Sequence, residues 1–141
     1  MTPILKSLFG DIRAVQSNVR ETSATYTRVS ALYQREGSVL LLNAELEISK
    51  HALPAEIVEA LRGMDVPFGQ LLIDRGIEAI SMDRTIFNEG NPDGPDVRWG
   101  RRHKIVDSES GCALCRVQEL LVPEYQLISA HDRFMASVQA R

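Results

Sequence analysis

Glu119 is the first residue in this chain whose type and setting could do chemistry. It lies in VQELLVP, among apolar neighbours in a stretch that reads as a strand. A carboxylate buried there costs desolvation unless it pairs or stays protonated. Exposed, it needs no explanation, and strand parity leaves both readings open because each side-chain row mixes polar and apolar residues. Arg28, in TYTRVSAL, poses the same alternative: an interior Arg needs an anionic partner, an exposed one does not. Arg98, Arg101, Arg102 and Lys104 cluster around the only tryptophan, Trp99. Such a run either shields a solvated edge strand or binds a carboxylate or phosphate.

Cys112 and Cys115 invite a metal or redox reading. Three positions apart on a strand, they face opposite sides of the sheet and cannot easily share an ion. Zinc asks for four ligands, and His51, His103 and His131 are scattered along the chain. The expectation is two separate core or near-core cysteines and no metal. GxGxxG, Walker and GxSxG signatures are absent.

The elements that position these residues follow from periodicity. Thr2-Pro3 ahead of Ile4, Leu5, Leu8 and Phe9 predicts a short helix stopped by Gly10. RAVQSNVRET and ATYTRVSALYQ are rich in β-branched and aromatic residues and read as strands. Leu40, Leu42, Ala44, Leu46 and Ile48 alternate with more polar positions, the return arm of a hairpin turned at Arg35–Ser38. Pro54 opens a helix with Ile57, Val58, Leu61 and Met64 as its stripe, and Pro67-Phe68-Gly69 opens a second, closed by Gly76. Ile77 to Phe87 alternates again, with Ile80, Met82 and Ile86 expected on one side. NEGNPDGPD is a loop, WGRRHKIV and CALCRVQELLV are the last strands, and Ser129 with Asp132 reads as the capping box of a final helix. About six strands with hairpin-length links and segregated helices make an α+β, antiparallel fold.

Composition bounds the rest. The 141 residues fit one domain, 1–141, and no repeat or linker divides them. Sixteen basic against nineteen acidic residues, a net charge of −3, argue against a dedicated nucleic-acid binder. No apolar run can span a bilayer, and the start MTPILKSLFGD lacks the apolar core of a secretory signal. A cytoplasmic protein without membrane or nucleic-acid partners is the expectation.

Several separated pieces resemble the chorismate pyruvate-lyases (4-hydroxybenzoate synthases). VRWGRRHKIVDSESGCALCRVQELLVP is similar to that family's C-terminal hairpin, with Trp99-Gly100-Arg101-Arg102 on one strand and Glu119-Leu120-Leu121-Val122-Pro123 ending the other. TRVSALYQREGSVLLLNAELEI looks like its central hairpin, which begins with an Arg, here Arg28. VPFGQLL at 66–72 is similar to the segment that closes over the ligand, and MTPILKSLFGD to the family's first helix. The resemblance runs from Met1 to about Pro123.

The resemblance implies a six-stranded antiparallel, chorismate-lyase-like sheet around a small cavity. The implied lyase reaction converts chorismate to 4-hydroxybenzoate and pyruvate, a step of aromatic acid biosynthesis, with no metal or organic cofactor. Arg28 would clamp the ring carboxylate bidentately. Glu119 would act as general acid or base at the ring hydroxyl and ether end. Backbone N–H groups at Phe68 and Gly69, and at Met1 or Thr2, would complete the substrate site.

Three features depart from the family. Where its members carry a second Arg after the hairpin turn, this chain has Ala44 or Asn43, leaving Arg98, Arg101 or Arg102 as replacements. The chain begins where longer members have already built a helical lid, and Glu124–Arg141 extends past the usual end. The alternative function is a non-catalytic module of the same fold that binds a small aromatic acid, like the effector-binding domains of bacterial transcription regulators. The oligomeric state is left open.

Overall fold

The structure is a computed structural model that describes residues 2–63 and 68–140. Met1, the segment 64–67 and Arg141 lie outside the described residues, so the expectations for Met1, Met64, Val66 and Pro67 are not addressed. Helix α1 (Thr2–Phe9) leads into β1 (Ile12–Glu21), β2 (Thr25–Gln34) and β3 (Val39–Ser49). Helices α2 (Ala55–Gly63) and α3 (Phe68–Asp74) follow, then β4 (Ala79–Glu89), β5 (Arg98–Asp107), β6 (Ala113–Leu121) and α4 (Glu124–Gln139). Gly10 ends α1 with φ +77° and its N–H on the Lys6 carbonyl. A side chain there would also strike the Phe134 ring of α4, so this glycine lets the two terminal helices meet.

The six strands form one antiparallel sheet in the order β1-β2-β3-β6-β5-β4. The α+β class with about six antiparallel strands expected from the sequence is what the chain adopts. The links β1–β2, β2–β3, β4–β5 and β5–β6 join neighbours, while α2 and α3 carry the chain from β3 to the far edge. β6 then returns to pair with β3 at the centre.

Register decides what lies under the helices. Paired residues share a face, so Ile48 and Cys115, Leu46 and Val117, Ala44 and Glu119, and Leu42 and Leu121 stand side by side on β3 and β6. Tyr26, Ile48, Cys115 and Val117 join α2 and α3 in one apolar core through Ile57, Leu61, Phe68 and Leu72. Leu42 joins α1 and α4 in a second core with Leu5, Phe9 and Ala130, and Leu32 and Leu121 pack against it. Between the cores the same face carries Ser30, Ala44, Glu119 and Arg101, all in register.

Three expectations are corrected. The β4 residues Ile80, Met82 and Ile86 do not share a face. A bulge between Met82 and Thr85, with Asp83 at φ 55°, inserts one residue and flips the parity beyond it. Ser129 and Asp132 are not a cap: α4 starts at Glu124 behind Pro123, and both lie in its interior. Cys112 precedes β6 and is exposed, so only Cys115 is a core cysteine, its thiol pushed up to about 12 by burial and then by Glu47.

On the opposite face of the sheet one aromatic contact is tightly packed. Phe87 lies against Gly100, its register partner, and Arg102 stacks 4.1 Å from the Phe87 ring centroid. A methyl group on Gly100 would collide with Phe87 and come within 2.8 Å of the Glu119 carbonyl oxygen. We therefore expect Gly100→Ala to destabilise the fold by about 1–3 kcal/mol, the usual cost of overpacking. Denaturant unfolding measures it, and Phe87→Ala should rescue part of the loss. An unchanged midpoint would mean the β4–β5 contact is looser than described.

At the sheet's end, Glu21 receives Arg62 Nε and Nη2 and Lys50 Nζ, each at 2.9 Å, tying α2 to β1. Hydrogen bonds from Arg62 and then Lys50 hold the Glu21 carboxyl at about 2 against 4.5. A carboxyl depressed in the folded state adds stability that is complete above its unfolded pKa and lost as pH falls through the folded one. The stability difference between wild type and Glu21→Gln should thus be constant above pH 4.5 and shrink toward pH 2. A difference independent of pH over that range would show that these contacts do not persist in solution.

Candidate functional site

β6 places Glu119 between the two cores, with its residue only 8% exposed. Among the described residues the neighbouring strand, not a helix, neutralises it. Arg101, its register partner on β5, donates from Nη2 to Glu119 Oε1 at 2.6 Å. Buried carboxylates are retained when a charge-assisted hydrogen bond of this kind offsets desolvation. His103, two residues along the same face of β5, has Nε2 3.8 Å from the same oxygen. Ser81 on β4 hydrogen-bonds His103 Nδ1 at 2.7 Å, and Arg84 Nε donates to Ser81 Oγ at 3.2 Å. Burial and then the Arg101 charge lower the His103 pKa below 6.5, against the opposing pull of Glu119, so the imidazole is neutral at neutral pH.

A cavity of about 270 Å³ opens beside this network. Leu42, Leu121, Ile86 and Trp99 form its walls, Ile4 of α1 stands at its rim, and Arg101 and Glu119 are its polar end. The helices leave it because a charged row cannot be covered by apolar side chains without stranding the charges. Arg101 is not saturated, for its buried Nε has no hydrogen-bond partner. The cavity thus offers an apolar slot closed at one end by the Arg101–Glu119 pair.

Arg28 faces the same side as Glu119 but stands over the other core. It is 8% exposed, and Nη2 donates to the Leu61 carbonyl at 3.2 Å, which also accepts from Tyr26 Oη at 3.2 Å. That carbonyl belongs to the last turn of α2, where the helix dipole favours a cation. Buried Arg28 Nε has no hydrogen-bond partner. Two strands and two residues separate Arg28 from Glu119, about 12 Å between Cα atoms by standard sheet spacing.

The other residues singled out in the sequence divide. Arg101 joins Glu119, whereas Arg102 is on the opposite face, bonded to Gln118 at 3.0 Å and stacked on Phe87. Arg98 Nε is spent on the Leu121 carbonyl at 3.2 Å. Phe68 is 3% exposed in the core under α3, and Gly69 is exposed on that helix. Thr2 is the first residue of α1, the helix that brings Ile4 to the cavity. Among the described residues no three His, Cys, Asp or Glu side chains gather closely enough to hold a metal ion. Nor is any described helix long and apolar enough to cross a membrane.

Sequence reasoning missed His103, Ser81 and Arg84 as members of one network. The signal was the alternation Trp99, Arg101, His103 along β5. It becomes legible only with the register that sets Arg101 opposite Glu119.

No protein-family model matches the sequence, and no curated protein is similar to it at the level of sequence. The fold has a solved counterpart, described as the ligand-binding domain of a GntR-family transcriptional regulator from Bordetella bronchiseptica. The two superpose with a TM-score of 0.57 over 80% of this chain and 86% of that one, at 9% sequence identity. At that identity the likeness establishes the architecture alone: an α+β, chorismate-lyase-like fold shared with a domain that binds a ligand.

Proposed function

We propose that this protein is a small-molecule-binding domain whose ligand is a hydroxylated aromatic acid. The observation that carries the reading is the Arg101–Glu119 pair at the polar end of an otherwise apolar cavity, between two packed cores. A volume of about 270 Å³ is at the small end for organic ligands and suits a single ring. The pair is neutral as a unit, so it favours a group that both donates and accepts, as a hydroxyl does. Arg28, the buried guanidinium that the resemblance puts on the ligand's carboxylate, lies on the same face but does not line this cavity, so the Arg101–Glu119 pair is the anchor there. The similarity to a regulator's ligand-binding domain supports binding as the function.

A second reading, conversion of chorismate to 4-hydroxybenzoate and pyruvate, draws on one observation: Glu119 is a buried carboxylate on the same face as Arg28. In that reaction Glu119 would manage the ring proton. In the network described, Glu119 is the acceptor of the short bond from Arg101.

Calorimetry with 4-hydroxybenzoate, run beside pyruvate release from chorismate, separates the two. We expect saturable binding of 4-hydroxybenzoate, weakened by Arg101→Ala to the extent of about 2–5 kcal/mol because the pair at the cavity's polar end is broken and Glu119 is left unpaired. Arg28→Ala should change it little, since Arg28 lies outside the cavity. Glu119→Gln should retain much of that affinity. Pyruvate above the uncatalysed background, falling by about 10²–10⁴-fold in Glu119→Gln, would establish the lyase. Binding without turnover establishes the binding domain. Neither binding nor turnover, in protein of native circular dichroism, would overturn both.

A further inference from the structure

On the far side of Glu119 from the cavity, Arg84, Ser81 and His103 form a chain of hydrogen bonds that leads toward the carboxylate. Arg84 has only donors, so at 3.2 Å its Nε–H must give to Ser81 Oγ. The 2.7 Å bond between Ser81 Oγ and His103 Nδ1 runs from the hydroxyl to the ring when the imidazole is the Nε2–H tautomer, the one whose proton points toward the Glu119 carboxylate. With Nδ1 accepting, the neutral imidazole carries its proton on Nε2, the nitrogen that faces Glu119 Oε1 at 3.8 Å. A hydroxyl, a neutral imidazole that accepts its proton, and a buried carboxylate behind the imidazole are the three roles of a nucleophile, a base and its orienting acid. Ser81 is partly exposed and lies on β4, an edge strand.

We propose that Ser81, His103 and Glu119 form an acyl-accepting site that cleaves activated esters through an acyl-serine intermediate. Ser81 Oγ attacks the ester carbonyl carbon while its proton passes to His103 Nδ1. The bond to the alcohol oxygen breaks, and that oxygen leaves with the proton from His103. Water then attacks the Ser81 ester, giving a proton to His103; the acyl–Oγ bond breaks and Oγ recovers that proton. Arg84, already 3.2 Å from Oγ, is the donor at hand for the oxyanion that forms in each step. Glu119 acts through His103 here, as a positioning residue, while its other side serves the cavity. The lowered basicity of His103 keeps it unprotonated and ready to accept at neutral pH.

This site shares Glu119 with the binding reading but does not depend on it, and the test keeps them apart. The full chain is treated with a fluorophosphonate, and separately with p-nitrophenyl acetate, and the adduct is located by peptide mass mapping. We expect one adduct per chain on Ser81, none in Ser81→Ala, and a labelling rate about 10²–10⁴-fold lower in His103→Gln. The rate should be flat above pH 7 and fall only in the acid range where His103 takes a proton. 4-Hydroxybenzoate binding to Ser81→Ala, measured by calorimetry, should match wild type, so loss of labelling and loss of binding are distinguished. Labelling of another residue, no labelling, or a Ser81 rate unchanged in folded His103→Gln would each overturn the proposal. A rate that climbs with hydroxide above pH 7 would do the same.

Discussion

The structure depends on one interruption. The inner face of the sheet is apolar at both ends and charged in the middle, where Glu119 meets Arg101. Burying either charge alone would cost far more than the fold could tolerate, and burying them together is acceptable only with the short, directed bond they make. The pair therefore demands that β5 and β6 hold their register to the residue. It also prevents the helices from closing into a single apolar layer. Two cores result, α2 and α3 over Tyr26 and Ile48, and α1 and α4 over Leu42. The cavity beside the pair is the space neither helix layer can fill.

Small residues make the interruption possible. Ala44 and Ser30 share the row with Glu119 and leave room above it. Gly100, on the other face, lets Phe87 and the Glu119 backbone approach closely enough to keep the β4–β5–β6 region tight. The Ala44 position, where a second Arg was expected by resemblance, thus acts by its small size. The positive charge on this row comes from Arg101, one strand beyond β6.

Much of this was legible in advance. The alternation along β3 and the β-branched runs of β1 and β2 give strands within a few residues of those observed. Glu119, Arg28 and Arg101 stand out in the sequence, but their settings leave both an exposed and a functional reading open, and only the family resemblance gives them roles. What failed did so for identifiable reasons. In β4 an inserted residue at Asp83 reverses parity, and no alternation rule survives an insertion it cannot see. In α4 a capping motif at Ser129 and Asp132 is overridden because Pro123, just after β6, lets the helix start a turn and a half earlier. Arg101 and Arg102 look equivalent as neighbours, yet they point to opposite faces, one to Glu119 and the other to Phe87 and Gln118.

By itself the sequence determined the local elements, their antiparallel class and the unusual residues, because hydrophobic period and turn chemistry are properties of neighbouring positions. The tertiary structure alone decided which of those residues meet. Arg101 to Glu119, Ser81 to His103 and Arg28 to Leu61 are contacts between segments 18 to 33 residues apart. Strand register is set by the packing of whole faces against helices, and one step of slip would send every such side chain to the other side of the sheet.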